Sequence, residues 1–267
     1  MAPPRTKGLT PQQRRDGLLF MRPDTIVDGN LDLPIQQADL GEPSDGTDVQ
    51  WWADMSNGGA HISAEGDPIT YHTTPGGIRI DDNETLRCLP GLTDRRRLYF
   101  ERPHSGSFTW ATLLQVDTAA GSEYPDLFVL GEGGNHDVGL SVGMHVDPPK
   151  QIHARLGNGS GSFFIWNSDS NDHTVSYSTS GYDELWISQD ATGGANTVQV
   201  GFNDQIIFEE SGFSLLAPGT PPDRILRVGN DTFGWQFVGF CGGFVLDTIP
   251  NRGPAAIDWL RGNNYTP

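Results

Sequence analysis

The stretch Asp137–Asp147, DVGLSVGMHVD, alternates apolar and polar residues without a fault, a period of two that no α-helical face satisfies. Val138, Leu140, Val142, Met144 and Val146 fall on one face, and Gly139, Ser141, Gly143 and His145 on the other. Residues 151–157 repeat the pattern, with Ile152, Ala154 and Leu156 inward and His153 and Arg155 outward. Two such segments in succession predict a hairpin, because paired strands must turn the same face to the core. A three-residue Pro148-Pro149-Lys150 loop pairs Val146 with Ile152 and sets His145 opposite His153; another loop length moves that partner by two.

Similar segments recur along the chain. Residues 107–117 place Phe108, Trp110, Thr112, Leu114 and Val116 on one face. In residues 183–189, Leu185 and Ile187 point inward while Glu184, Trp186 and Ser188 take the opposite face. Residues 197–202 and 205–208 flank Asn203-Asp204, which reads as a hairpin turn. Near the C-terminus come a strand at 225–228, a Gly-Asn-Asp turn, an aromatic strand at 235–246 with Phe237, Phe240, Phe244 and Leu246 closing the core, and a short helix. Short strands with Gly, Asn, Asp and Pro between them, and no sustained helical period, predict an all-β chain. With 267 residues, 36% of them hydrophobic, there is ample material for one large core.

Residues 1–48 do not read as part of that core. Thr10-Pro11 is a helix start, an N-cap followed by proline at the first helical position, leading into residues 12–20. Extended pieces follow at 25–27 and 31–35. Through residue 22 the segment carries Arg5, Lys7, Arg14, Arg15 and Arg22 against Asp16, on a chain whose net charge is −17. A basic arm on an acidic body predicts docking onto another surface, this domain's own or a partner's, with Arg14, Arg15, Leu18, Leu19 and Phe20 as its contacts; a solvated disordered tail is the alternative. The expected division is an extended arm over 1–48 and a sandwich over 49–267.

The C-terminal residues Leu226, Val228, Gly229, Phe237, Gly239, Phe244, Val245, Ile257 and Leu260, in their order of strand, turn, strand and helix, resemble the close of a laminin-G-like domain of the concanavalin-A-like class. The SFTWA start at Ser107 and the passage LWISQ…GANTVQVGFNDQ are similar to that family's earlier strands. The resemblance implies a two-sheet antiparallel jelly-roll β-sandwich behind an extended N-terminal arm, with a short C-terminal helix. It also implies the setting in which such domains occur in tailed-phage virions, as head decorations, fibres or tail appendages.

The chemistry of an enzyme is missing from the pattern. Asp183-Glu184, Glu209-Glu210 and Asp81-Asp82 are adjacent pairs, so their members point to opposite faces and cannot flank one glycosidic bond. Glu184 with a carboxylate from another strand is the hydrolase alternative; a free carbohydrate-binding module is another. Cys88 and Cys241 make no zinc site and read as buried thiols, and Asn167–Asp172 reads as an ordinary turn before a calcium loop, so no cofactor or metal is expected. The acidic balance disfavours nucleic acid, and no apolar run approaches a membrane span. A sugar-binding face is expected at Trp186, His145, His153 and Arg155, with the indole stacking on the sugar and the polar groups rimming it. The whole reads as a non-enzymatic virion component made in the host cytoplasm without a signal peptide. Residues 1–48 would dock it to other virion proteins, and it would assemble as a homo-oligomer such as a trimer and bind a host surface glycan.

Overall fold

A computed structural model describes residues 7–27, 43–49, 51–56, 62–66, 69–81, 84–88, 107–117, 126–131, 138–145, 151–158, 163–167, 175–178, 180–192, 196–212, 225–229 and 237–266. In chain order the elements are α1 (Pro11–Asp16), β1 (Gly17–Met21), β2 (Ile26–Val27), β3 (Asp48–Val49), β4 (Trp51–Trp52), β5 (Ile62–Gly66), β6 (Ile69–His72), β7 (Gly77–Ile80) and β8 (Glu84–Cys88). They continue with β9 (Phe108–Val116), β10 (Asp126–Gly131), β11 (Val138–His145), β12 (Gln151–Asn158), β13 (Phe163–Asn167), β14 (Asp183–Asp190), β15 (Thr197–Phe202), β16 (Gln205–Ser211), β17 (Ile225–Val228), β18 (Gly239–Asp247) and α2 (Gly253–Leu260).

The strands form two antiparallel sheets, one in the order β16-β15-β14-β9-β18-β7-β6-β3 with β1 also on β18, the other β13-β12-β11-β10-β17-β8-β5-β4-β2. This is the two-sheet jelly-roll sandwich, with the short C-terminal helix. Its core lies between the sheets, where Trp110 meets Phe128 at 5.2 Å and Phe244 meets Phe128 and Trp52 at 5.7 Å. The predicted inward residues Phe108, Trp110, Leu114, Leu185, Ile187, Leu140, Val142 and Ile152 are all buried there. Asn203 and Asp204, both at positive φ (45° and 62°), make the two-residue turn between β15 and β16.

Three expectations change. The β11–β12 hairpin exists, but Met144 pairs with Ile152 and His145 with Gln151, so His153 lies opposite Gly143. Five residues, 146–150, separate the paired strands instead of three, and the register moves by two. Phe237, Phe244 and Leu246 close the core, whereas Phe240 turns outward against His72 and Arg79. A bulge between Cys241 and Phe244 breaks the alternation there. At this bulge β18 exchanges its neighbour, pairing with β7 through Cys241 and with β1 from Phe244 onward. Gly243 sits at φ +125°, where a β-carbon would run into the Met21 carbonyl, a place with no room for a side chain.

The third change concerns the arm. Thr10 caps α1 as predicted, its Oγ1 accepting from Gln13 N at 3.2 Å while Thr10 N donates to Gln13 Oε1 at 2.7 Å. The helix stops at Asp16, where Gly17 turns to extended backbone (φ −71°, ψ 148°) with the Phe20 ring in the space a β-carbon would need, and residues 17–21 become a strand of the sandwich. Leu19 and Met21 enter the central core, and Phe20 enters a second apolar layer on the outer face of the β9–β14–β18 sheet. That layer is roofed by Ala256, Ile257, Trp259 and Leu260 of α2, with Leu9 and Tyr265 beside them. Residues 7–27 and 43–49 therefore belong to the sandwich, and the boundary expected at residue 48 is not a boundary of its core.

Three basic residues of this segment, Lys7, Arg14 and Arg22, are spent internally. Lys7 and Arg22 both grip Asp24 (2.8 and 2.6 Å), and Arg14 donates to the Met55 carbonyl at 2.9 Å. Burial would raise the Asp24 pKa, but hydrogen bonds from Arg22 and Lys7 and their charges outweigh it and hold the carboxyl below its ordinary value of 3.8. The stability from this clamp is therefore complete above the ordinary carboxylate pKa and is lost as pH falls through the lowered one. Asp24→Asn is expected to cost about 1–2 kcal/mol at pH 7, because Lys7 is left buried without its counter-charge. It should also flatten the fall in Tm below pH 4, measured by thermal melts across pH.

Candidate functional site

The residues proposed for sugar binding do not meet. Trp186 is on β14, in the sheet that α2 covers, while His145, His153 and Arg155 are on β11 and β12 of the other sheet. Nor is Trp186 an open platform. Its ring lies between Gly201 of β15 and Gly253 at the start of α2, neither of which leaves room for a side chain, and only 7% of the residue is exposed. Of the proposed anchor residues, Leu19 and Phe20 are in the protein's own core, Leu18 is in the same strand, and Arg14 is held by Met55. Arg15 is exposed beside Gln12, whose Oε1 accepts from it at 2.5 Å. The turn residues 168–172 considered for calcium lie outside the described residues; among the described residues no group of His, Cys, Asp and Glu could hold a metal ion. Cys241 is a buried free thiol whose pKa is pushed up to about 12 by desolvation.

Trp186 nevertheless borders a cleft. Between α2 and the outer face of β14–β16 lies a space of ≈ 380 Å³, walled by Trp186, Pro254, Ile257 and Ile206 on its apolar side. Ile206, 56% exposed, is the exposed large apolar residue among those described, and it stands on the rim. The polar side is made by Glu184, Gln199, Asp204, Gln205 and Asn251.

Each polar group has a structural reason for its position. Asn251, at φ +60°, precedes α2; its N–H donates to Ser188 Oγ at 2.6 Å and its amide donates to Asp190 at 3.3 Å. Asp190 is kept ionised below its usual range chiefly by the Thr192 hydroxyl and backbone N–H. Asp204 and Gln205 follow from the turn, which is tied to β14 where Asn203 Oδ1 accepts from Glu184 N at 2.8 Å and its amide donates to Asp183 at 2.8 Å. Gln199 donates to Glu209 at 2.6 Å. Glu184, the carboxylate a hydrolase would have used, is 6% exposed and forms an ion pair with Arg261 just past α2. Asp247 is likewise enclosed: burial raises its pKa, partly offset by the Tyr265 hydroxyl (2.7 Å) and Arg252 (3.6 Å). These acids are committed to holding α2 and the tail against the sheet.

No protein-family model and no curated protein matches the chain. Solved structures do. The binding domain of botulinum neurotoxin DC, in complex with SialylT, aligns over 94% of this chain and 52% of its own, at 11% identity and a TM-score of 0.57. The serotype D/C VPI 5993 binding domain aligns over 93% and 52%, at 11% identity and a TM-score of 0.59. A CBM40 from the Ruminococcus gnavus IT-sialidase, bound to α2,3-sialyllactose, aligns over 68% of this chain and 94% of its own, at 12% identity and a TM-score of 0.51. The chain spans about half the length of the neurotoxin domains. At these identities the likeness establishes the β-sandwich fold and nothing finer.

Proposed function

We propose that this chain is a non-enzymatic carbohydrate-binding β-sandwich that takes its glycan in the cleft between α2 and β14–β16. The observation that carries the reading is the make-up of that cleft: an apolar wall of Ile206, Pro254, Ile257 and the rim of Trp186 faces the exposed amides of Gln205 and Asn251. Sugars present this duality, C–H patches on one side and hydroxyls that both donate and accept on the other, and side-chain amides answer them in kind. The fold likeness to a CBM40, which covers nearly all of that module, supports the same reading. His145, His153 and Arg155 have no part in it.

Replacing the two amides, Gln205→Ala with Asn251→Gly, is expected to weaken glycan binding about tenfold or more, the worth of two hydrogen bonds to neutral groups. Glycine suits the positive φ at residue 251 and keeps the N–H bond to Ser188, so the melting temperature should fall only slightly, by the loss of the exposed amide bond to Asp190. Titration of array hits against the wild type and the double variant checks this; unchanged affinity would remove the cleft.

The setting we propose is a virion, with the sandwich displayed as a symmetric homo-oligomer, such as a trimer, and other virion proteins as its partners. Its N-terminal contact would be the outer surface of α1, where Gln12 and Arg15 are exposed. Mass spectrometry of purified particles, with copy number, tests that placement.

A further inference from the structure

The geometry points to an uncharged glycan as the ligand of this cleft, with sialylated and sulfated sugars excluded by charge; this rests on the cleft being the glycan site. The three strands that floor the cleft come from residues 174–223, a 50-residue run without one Lys, Arg or His that nonetheless contains Asp183, Glu184, Asp190, Asp204, Glu209 and Glu210. The arginines flanking α2 do not compensate. Arg261 is taken by Glu184, and Arg252 lies 3.6 Å from Asp247 with its guanidinium over the Tyr265 ring. Asp204 lines the cleft at the tip of the β15–β16 turn with no ion-pair partner among the described residues.

Specific recognition of a sialic acid or sulfate calls for a cation or a converging set of donors, because desolvating an anion without one is costly. Here the lining offers amides, which donate and accept equally, and carboxylates, which only accept. Both suit hydroxyls and N-acetyl groups. A carboxylate-bearing sugar would approach Asp204 and the Glu184–Arg261 pair inside a chain of net charge −17, with the repulsion undiluted at low salt.

The experiment is a glycan array read as matched sets, in which each neutral backbone appears with its sialylated, sulfated and de-N-acetylated forms, followed by calorimetric titration at low and high salt. Neutral members are expected to bind at least tenfold tighter than their anionic forms at low salt, and added salt should narrow the gap. Asp204→Asn keeps a side chain that tolerates positive φ and should reduce the neutral-to-anionic ratio by about threefold at low salt. Equal or tighter binding of an anionic form, or tightest binding of the cationic de-N-acetylated form, overturns the inference while leaving the cleft as a glycan site. Silence across the whole array removes the cleft reading and the selectivity with it.

Discussion

A chain that begins at Pro23 is expected to be unfolded or aggregated, instead of yielding a clean sandwich freed of an appendage. The deleted stretch holds Leu19, Phe20 and Met21, exposed by 2%, 0% and 0%. At roughly 1.5–3 kcal/mol for each buried side chain, their loss removes roughly 5–9 kcal/mol, comparable to the whole stability of an ordinary domain. The edge of β18 from Phe244 to Asp247 would lose its partner strand, leaving backbone groups without their hydrogen bonds. The C-terminus would loosen too. Phe20 packs edge-on against Trp259 (5.3 Å) and Tyr265 (5.4 Å), Trp259 Nε1 donates to the Lys7 carbonyl at 2.7 Å, and Gln13 donates to the Tyr265 carbonyl at 2.8 Å. The roof over the second apolar layer is thus a joint product of both ends of the chain. Circular dichroism melts of the truncated chain check the expectation, and Phe20→Ala gives a graded version, at about 3–5 kcal/mol and a Tm lower by about 10 °C. A truncated chain that melts like the full one would restore the segment to the status of a separate arm.

The sequence carried this fold unevenly, and the reason is the number of buried faces. Where apolar and polar residues alternate they write a strand's orientation, so the inward faces of β11 and β14 are readable, and the Asn203-Asp204 turn announces its own geometry. A strand covered on both sides loses the alternation. In β1, Leu19 and Met21 face one core and Phe20 the other, so Leu-Leu-Phe-Met reads equally as an amphipathic helix or a sticky arm. The trace of a second layer was present in β9, where Ala111 and Leu113, between the inward residues, are apolar too, and both are buried under α2. A second apolar face on β9 calls for a cover, and the α2 that supplies it also withdraws the neighbouring Trp186 indole from solvent. The cleft itself was less legible. Glu184, Gln205 and Asn251 come from three parts of the chain, and only the turn after β15 and the entry to α2 bring them to one place.

Trp186→Ala separates the two views of that indole. For a ring laid flat on an open sheet, truncation would abolish sugar binding and leave the melting temperature unchanged. Here the ring fills the space between Gly201 and Gly253, and α2 rests on it. Removing it opens a cavity between the helix and the sheet and is expected to cost about 3–5 kcal/mol, the usual range for large aromatic truncations in a core. The lost support also bears on Glu184, whose ion pair with Arg261 depends on α2 staying in place. A Tm drop of about 10 °C is therefore expected alongside any loss of glycan binding, measured on one preparation by thermal melt and titration. Trp186→Phe, which keeps a flat ring between the two glycines, should recover part of the stability. An alanine variant that melts within about 1 °C of wild type would mean that the indole does not carry the helix, and the cleft wall would have to be redrawn around an exposed ring.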